Sequence, residues 1–207
     1  MTDTSAPVPS AFPWKTNAAL IADVARLGYL YGHVLDPTYG EGNWWTAWTP
    51  EKLTKHDLDK LDGVDYRNLP HPDGTFDSVA FDPPYVSPGG RATSTIKAMH
   101  AAYGMQNTAR TPRLLFEDNA AGFAECVRVL KVGGYIVYKS QDYISSGKYQ
   151  PVTHWIITDA LARADLEYVD RFEHRGNSRP QPAGRRQVHA RRNHSTLLVF
   201  QKVRCDP

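Results

Sequence analysis

Asp82-Pro83-Pro84-Tyr85 ends the apolar run Val79-Ala80-Phe81 and so sets a carboxylate, a stiffened backbone and an aromatic ring at the tip of a predicted buried strand. Pro83 and Pro84 lack N–H donors and have fixed φ, so the chain turns out of the strand with carbonyls free to accept hydrogen bonds. Asp82 adds a second kind of acceptor, and Tyr85 offers a ring face. Acceptors beside a ring suit a flat base that carries an amino group, because the amine donates while the base stacks. A plain turn after a strand needs neither the acid nor the aromatic residue.

A related device lies upstream. Val34-Leu35 leads into Asp36-Pro37-Thr38-Tyr39-Gly40-Glu41-Gly42, a short apolar strand that stops at an acid and enters a Gly-x-Gly turn. Such turns let the backbone pass close under nucleotide-type ligands at the carboxyl ends of parallel strands. The third glycine of the dinucleotide fingerprint is missing, since Trp45 occupies its position. A pyrophosphate cofactor is therefore disfavoured, and one without phosphates fits better. Lys52 to Asp57 reads as a second short strand, and its terminal acid follows Asp36 by 21 positions. That is where a sheet of this type hydrogen-bonds ribose hydroxyls. Asp65-Tyr66 is a further candidate contact at a third strand, where a carboxylate could accept from an adenine amino group.

In this order the motifs resemble those of the S-adenosylmethionine-dependent DNA amino-methyltransferases, the N6-adenine and N4-cytosine methylases. The glycine turn, the acids at Asp57 and Asp65, Asp-Pro-Pro-Tyr and the later strand Gly133-Gly134-Tyr135-Ile136-Val137-Tyr138-Lys139 carry the likeness over about residues 12 to 202. The resemblance implies a Rossmann-like α/β fold with a mainly parallel seven-stranded sheet and an antiparallel C-terminal hairpin. It implies S-adenosyl-L-methionine as cofactor, lined by Asp36, Pro37, Thr38, Tyr39, Gly40, Gly42, Asp57 and Asp65. Asp82, Pro83, Pro84 and Tyr85 would hold the target base. Asp at the first position of that tetrapeptide favours adenine over cytosine, although similar tetrapeptides occur in enzymes that methylate the guanine amino group in RNA. Two rivals stay open: an RNA amino-methyltransferase, and a nucleic-acid-binding relative without turnover. The chain has no room for a large target-recognition region, so its sequence specificity should be short or loose.

Composition sets bounds. The 207 residues suffice for one domain with its own core. We expect residues 1–13, rich in Ser, Thr and Pro, to be a flexible N-terminal segment and 14–204 to be a single domain. Cys126 and Cys205 suggest no disulfide framework, and no two of the eight histidines have the i, i+4 spacing of a zinc helix, so no metal is expected. With no leader pattern and no membrane-length apolar run, the expected location is the cytoplasm. The net charge of +2 is unevenly placed: His174 to His194 holds Arg175, Arg179, Arg185, Arg186, Arg191 and Arg192 without an acid, leaving −4 on the rest. This stretch reads as a loop between the last two strands whose arginines can pair with phosphates, and double-stranded DNA is the expected partner.

The elements that must position these residues alternate. Asn17 is predicted to cap a helix from Ala18 to about Leu30, Phe116 to Leu130 has helical periodicity with Gly133-Gly134 as its stop, and Val152 to Ala164 forms another helix. Strands alternating with such helices predict a mainly parallel sheet covered on both faces, with the last two strands as an antiparallel edge hairpin. Residues 86–113 lack a period and follow the tetrapeptide directly. They read as a lid that orders on nucleic acid, with Arg91, Lys97 and Arg110 as phosphate contacts. Trp44, Trp45 and Trp48 fall on one side of a predicted helix and are read as packing residues rather than as a base-stacking platform.

Overall fold

The computed structural model describes residues 6–87, 111–176, 186–190 and 192–205. Arg91, Lys97, Arg110, Arg179, Arg185 and Arg191, and nearly all of the expected lid, lie outside these residues.

The strands are β1 (Ala11–Phe12), β2 (His33–Asp36), β3 (Lys52–Lys55), β4 (Phe76–Phe81), β5 (Leu130–Ser140), β6 (Tyr143–Ser145), β7 (Lys148–Gln150), β8 (Leu166–Arg175) and β9 (His194–Lys202), with β-branched and aromatic apolar residues concentrated in the central β2, β4, β5 and β9. The helices are α1 (Asn17–Arg26), α2 (Pro112–Val129) and α3 (Val152–Leu161). Among the described residues seven strands join one sheet in the order β1-β8-β9-β5-β4-β2-β3, while β6 and β7 pair separately. Pairing is parallel for β1/β8, β2/β3, β2/β4 and β4/β5, and antiparallel for β5/β9 and β8/β9. This is the expected mainly parallel sheet with an antiparallel hairpin.

Side-chain alternation divides the core by face. Leu35, Val79, Phe81, Ile136, Tyr138, Leu198 and Phe200 pack with Phe123, Val127 and Ile156 of α2 and α3. Val34, Ala80, Val137, Leu197 and Val199 pack on the other face with Leu20, Ile21 and Val24 of α1 and with Trp14, Trp44 and Trp45. Each fully buried Leu, Val or Phe contributes about 1.5–3 kcal/mol, so both helical layers are held by the central strands.

Several boundaries differ from expectation. Thr16, not Asn17, caps α1, accepting from the Ala19 N–H at 3.2 Å. That helix ends at Arg26 rather than near Leu30, closed by Gly28 N–H to Ala25 O and Tyr29 N–H to Val24 O. Thr111 caps α2 and Pro112 opens it, four residues before the predicted start, because proline fits the first helical turn. Gly133 and Gly134 are not a stop, for they lie inside β5, where the β4/β5 register shifts between Phe76 and Ser78. No strand forms at Asp65, which sits in an irregular stretch between β3 and β4. The C-terminal hairpin is not at the edge: β9 lies between β5 and β8, and β1 covers β8. Ala11 and Phe12, expected in a flexible segment, are that outermost strand, paired with Glu173 and His174.

Candidate active site

Three charged residues stand at the carboxyl ends of three adjacent parallel strands. Asp36 closes β2, Asp82 follows β4 and Lys139 is the penultimate residue of β5. Alternation aims all three to the α1 and tryptophan face, since Val34, Ala80 and Val137 point there. Asp82 and Lys139 each lie one position past the Phe81↔Tyr138 pair, which brings them side by side. Lys139 Nζ lies 3.3 Å from Asp82 Oδ2.

The turn after β2 is built inward. Asp36 is buried; Oδ1 accepts from the Thr38 N–H at 3.0 Å and the Thr38 hydroxyl at 3.4 Å, and Oδ2 accepts from the Trp45 indole at 2.8 Å. Thr38 Oγ1 in turn accepts from the Asp82 N–H at 2.9 Å, so one hydroxyl joins the ends of β2 and β4. Gly40 (φ +54°) donates its N–H to Asp57 Oδ2 at 2.8 Å. Open space adjoins its missing Cβ, whereas a Cβ on Gly42 (φ +71°) would strike the Tyr39 ring. Positive φ at both positions favours glycine. Pro37 is buried beneath the turn, and Tyr39 carries Lys55 Nζ 4.7 Å above its ring.

The acids predicted to contact a cofactor have protein partners too. Asp57 Oδ1 also accepts from the Asp59 and Lys60 N–H groups, at 3.0 and 2.9 Å. Arg67 grips both oxygens of Asp65 and reaches Asp118 Oδ1 at 2.8 Å, a network that lowers the Asp65 pKa, chiefly through the Arg67 hydrogen bonds. Direct hydrogen bonds thus join Asp36, Thr38 and Asp82 in one group and Gly40 to Asp57 in another, while Asp65 belongs to a separate ion-pair cluster.

The tetrapeptide is supported from α2. Asn119 donates to Pro84 O at 2.7 Å and accepts from the Tyr66 hydroxyl at 3.2 Å. The Asp82 side chain is 26% exposed, but its Oδ1 is buried and makes no hydrogen bond among the described residues; nor does the Trp44 indole nitrogen. Burial raises the Asp82 pKa, opposed by the Lys139 ammonium and then by the neighbouring Trp44 indole. Burial likewise lifts Asp36 to about 7, with the Trp45 and Thr38 donors opposing and the Asp82 charge adding to the rise. Lys139 Nζ stands 5.7 Å from the Trp44 ring centroid and 5.8 Å from that of Tyr85.

Lys139, Asn119, Trp44 and Trp45 carry no site role in the sequence reading. The first had a usable signal, an apolar run ending in a charge just as at Asp36 and Asp82. Trp44 and Trp45 are buried as packing residues, on a single 3₁₀ turn (Asn43–Trp45) rather than an α-helix, and both also face the acids. Asn119 stood in the buried stripe of α2 with Leu115 and Cys126. Cys126 is sealed in that core, where burial pushes its thiol far above the ordinary range.

The described part of the basic loop lies at the same end of the sheet, because β8 runs parallel to the central strands and ends there. His189 Nε2 is 2.8 Å from Gly147 O, and the Arg192 guanidinium lies 4.1 Å above the Tyr149 ring. Arg186 is exposed. No described helix is long and apolar enough to cross a membrane. Among the described residues no group of three or more His, Cys, Asp or Glu could hold a metal ion.

No protein-family model and no curated protein matches the sequence. Solved structures do match the fold. TrmN from Thermus thermophilus is 14% identical, with 90% of this chain and 49% of that one covered and a TM-score of 0.55. A Bacillus halodurans C-125 protein, provisionally described as a methyltransferase, is 14% identical over 90% of this chain and 100% of its own, with a TM-score of 0.50. The chain spans about half the length of TrmN. The fold is thus the Rossmann-like one found among methyltransferases.

Proposed function

We propose that this protein is an S-adenosylmethionine-dependent methyltransferase acting on the exocyclic amino group of a nucleic-acid base, adenine N6 of double-stranded DNA in the first instance. The observation that carries this reading is the convergence of the Asp36 turn and Asp82-Pro83-Pro84-Tyr85 at the neighbouring ends of β2 and β4. The chain moves outward from β2 to β3 and then returns to β2's other side as β4. Such reversals leave a crevice where ligands bind in open α/β sheets.

The cofactor suits the groups present. Residues 36–42 include no lysine or arginine to meet a phosphate, and the Gly40 turn has open space where a side chain would stand. Gly40 would let the adenosyl moiety approach the backbone, Asp57 would receive the ribose hydroxyls through its remaining lone pairs, and Asp36 would hold the turn's shape. Asp65 is the weakest member of the expected set, since Arg67 occupies both of its oxygens. When bound, the cofactor supplies an electrophilic methyl group.

The protein's part is orientation. Tyr85 stacks on an extruded base, while Asp82 and a backbone carbonyl of Pro83-Pro84 accept its amino hydrogens. The amine lone pair, otherwise conjugated into the ring, is thereby turned toward the methyl group. The nitrogen gains a methyl and loses a proton, for which Asp82 is the nearby acceptor. The basic loop at the same end of the sheet supports a polyanionic substrate, with phosphate contacts from Arg186 and Arg192 and from the arginines and lysine at 91, 97, 110, 179, 185 and 191.

The test is methyl transfer from labelled S-adenosylmethionine to unmethylated duplex DNA and to structured RNA, with mass spectrometry of the product nucleosides. We expect 6-methyladenine in DNA. Label only in 4-methylcytosine corrects the base, label only in RNA moves the substrate to the other polymer, and no label in either overturns the proposal.

A further inference from the structure

We propose that Lys139 is a positioning residue of this site: its ammonium holds the Asp82 carboxylate in the anionic form, between the Trp44 and Tyr85 rings. The argument begins with a conflict. Asp36 and Asp82 are two acids on one face at the ends of neighbouring strands, close enough for the Asp82 charge to raise the pKa of Asp36. Burial and a like charge both favour protonation. An acid meant to accept an amine hydrogen must be ionised, so something has to offset burial at Asp82.

Lys139 is placed to do so by register alone. It follows the Phe81↔Tyr138 pair on β5 as Asp82 follows it on β4, and its Nζ reaches Oδ2 at 3.3 Å. Its side chain is only 7% exposed. A buried ammonium needs compensation, which the carboxylate and the negative faces of two aromatic rings provide. Among the described residues the groups near Asp82 are Lys139 from β5, Asp36 and Thr38 from the β2 end and Trp44 from the 3₁₀ turn, with Tyr85 of its own turn against Lys139 and the Tyr138 hydroxyl, whose ring packs on the opposite face, within reach of its charge. Lys139 is the cation among them. Its arrangement also links base-stacking and base-accepting groups, since one ammonium spans the Tyr85 ring and the Asp82 oxygen.

The catalytic meaning of this role rests on the base-methylation reading above, but the ionisation of Asp82 is measurable without any substrate. The experiment is a pH titration of the Asp82 side-chain carboxyl by carbon-13 NMR on aspartate-labelled protein, assigned with Asp82→Asn. It is run for wild type, Lys139→Met and Lys139→Arg and paired with the pH profile of methyl transfer to unmethylated DNA. Loss of an opposite charge at this range moves a carboxyl midpoint by about one unit or more. We expect Lys139→Met to titrate Asp82 at higher pH, to lose about tenfold in rate near neutrality, and to recover as pH rises. Lys139→Arg should restore both. An unchanged Asp82 midpoint in folded Lys139→Met overturns the inference, and Lys139→Gln, which keeps a polar head, is read the same way if the methionine variant does not fold. A shifted midpoint with no transfer by any variant or by wild type upholds the role of Lys139 and removes the base-methylation reading instead.

Discussion

Two turns in this protein begin with the same dipeptide, Asp36-Pro37 after β2 and Asp82-Pro83 after β4, yet the two acids end differently. Asp36 takes a hydrogen bond from the N–H two residues on, at Thr38, and another from Trp45. The residue two after Asp82 is Pro84, which has no N–H to give. The second proline thus denies Asp82 the local bond that completes its counterpart. One carboxylate is absorbed into the shape of its turn, and the other keeps bonding capacity for Lys139 and for a ligand. A strand ending in an acid marks where to look, and the next two residues decide whether that acid is scaffold or reagent.

The contrast can be broken most severely at Asp82. Asp82→Ala should lower methyl transfer by on the order of 10²–10³-fold while calorimetry still detects S-adenosylmethionine binding. Normal turnover would remove Asp82 from the chemistry. Asp36 should answer in stability. Its folded pKa is raised to about 7, above the unfolded value near 3.9, so its favourable balance is complete below pH ~4 and is lost as pH rises through ~7. Urea denaturation from pH 4 to 8 should show wild type losing stability relative to Asp36→Asn, by a few kcal/mol at most; parallel curves would refute the buried-acid assignment.

Smaller effects sharpen the comparison. Trp45→Phe removes a donor to the Asp36 carboxylate and should cost about 1–3 kcal/mol. The loss should be larger at pH 8 than at pH 5, because the charged form needs the donor most. Pro84→Ala is the gentlest probe. It returns an N–H to the position two beyond Asp82, lets the acid close a local turn, and should reduce turnover several-fold with a stability change below about 1 kcal/mol. Turnover equal to wild type would show that the missing N–H is irrelevant.

The acids, the glycine turn and the parallel sheet were legible because each rests on a local rule: an apolar run, its terminating charge, and the turn chemistry that follows. Helix starts depart from the apolar periodicity where a cap competes with it, as with Thr111-Pro112 ahead of Phe116. Asp65 had the right residue type in the expected order, but Arg67 two positions on forms a fork-shaped pair with it, and no strand carries it to the sheet. Lys139 and Asn119 depend on which strand and helix lie beside the tetrapeptide. That adjacency comes from pairing between distant segments, such as Phe81 with Tyr138, and no single stretch of sequence displays it.

The place of β9 has a consequence for biosynthesis. It is late in the chain yet central in the sheet, pairing Gln201 with Tyr135 on one side and with Glu167 on the other. A nascent chain that has not yet released His194–Lys202 from the ribosome therefore carries two bare strand edges, on β5 and β8, flanked by apolar faces. Edges of this kind template aggregation, and long-range pairings form slowly. The strand that carries Lys139 gains its second neighbour only by this late event, so chains stalled short of β9 leave bare the β5 edge beside the charged cluster, and they are the form that chaperones would have to hold.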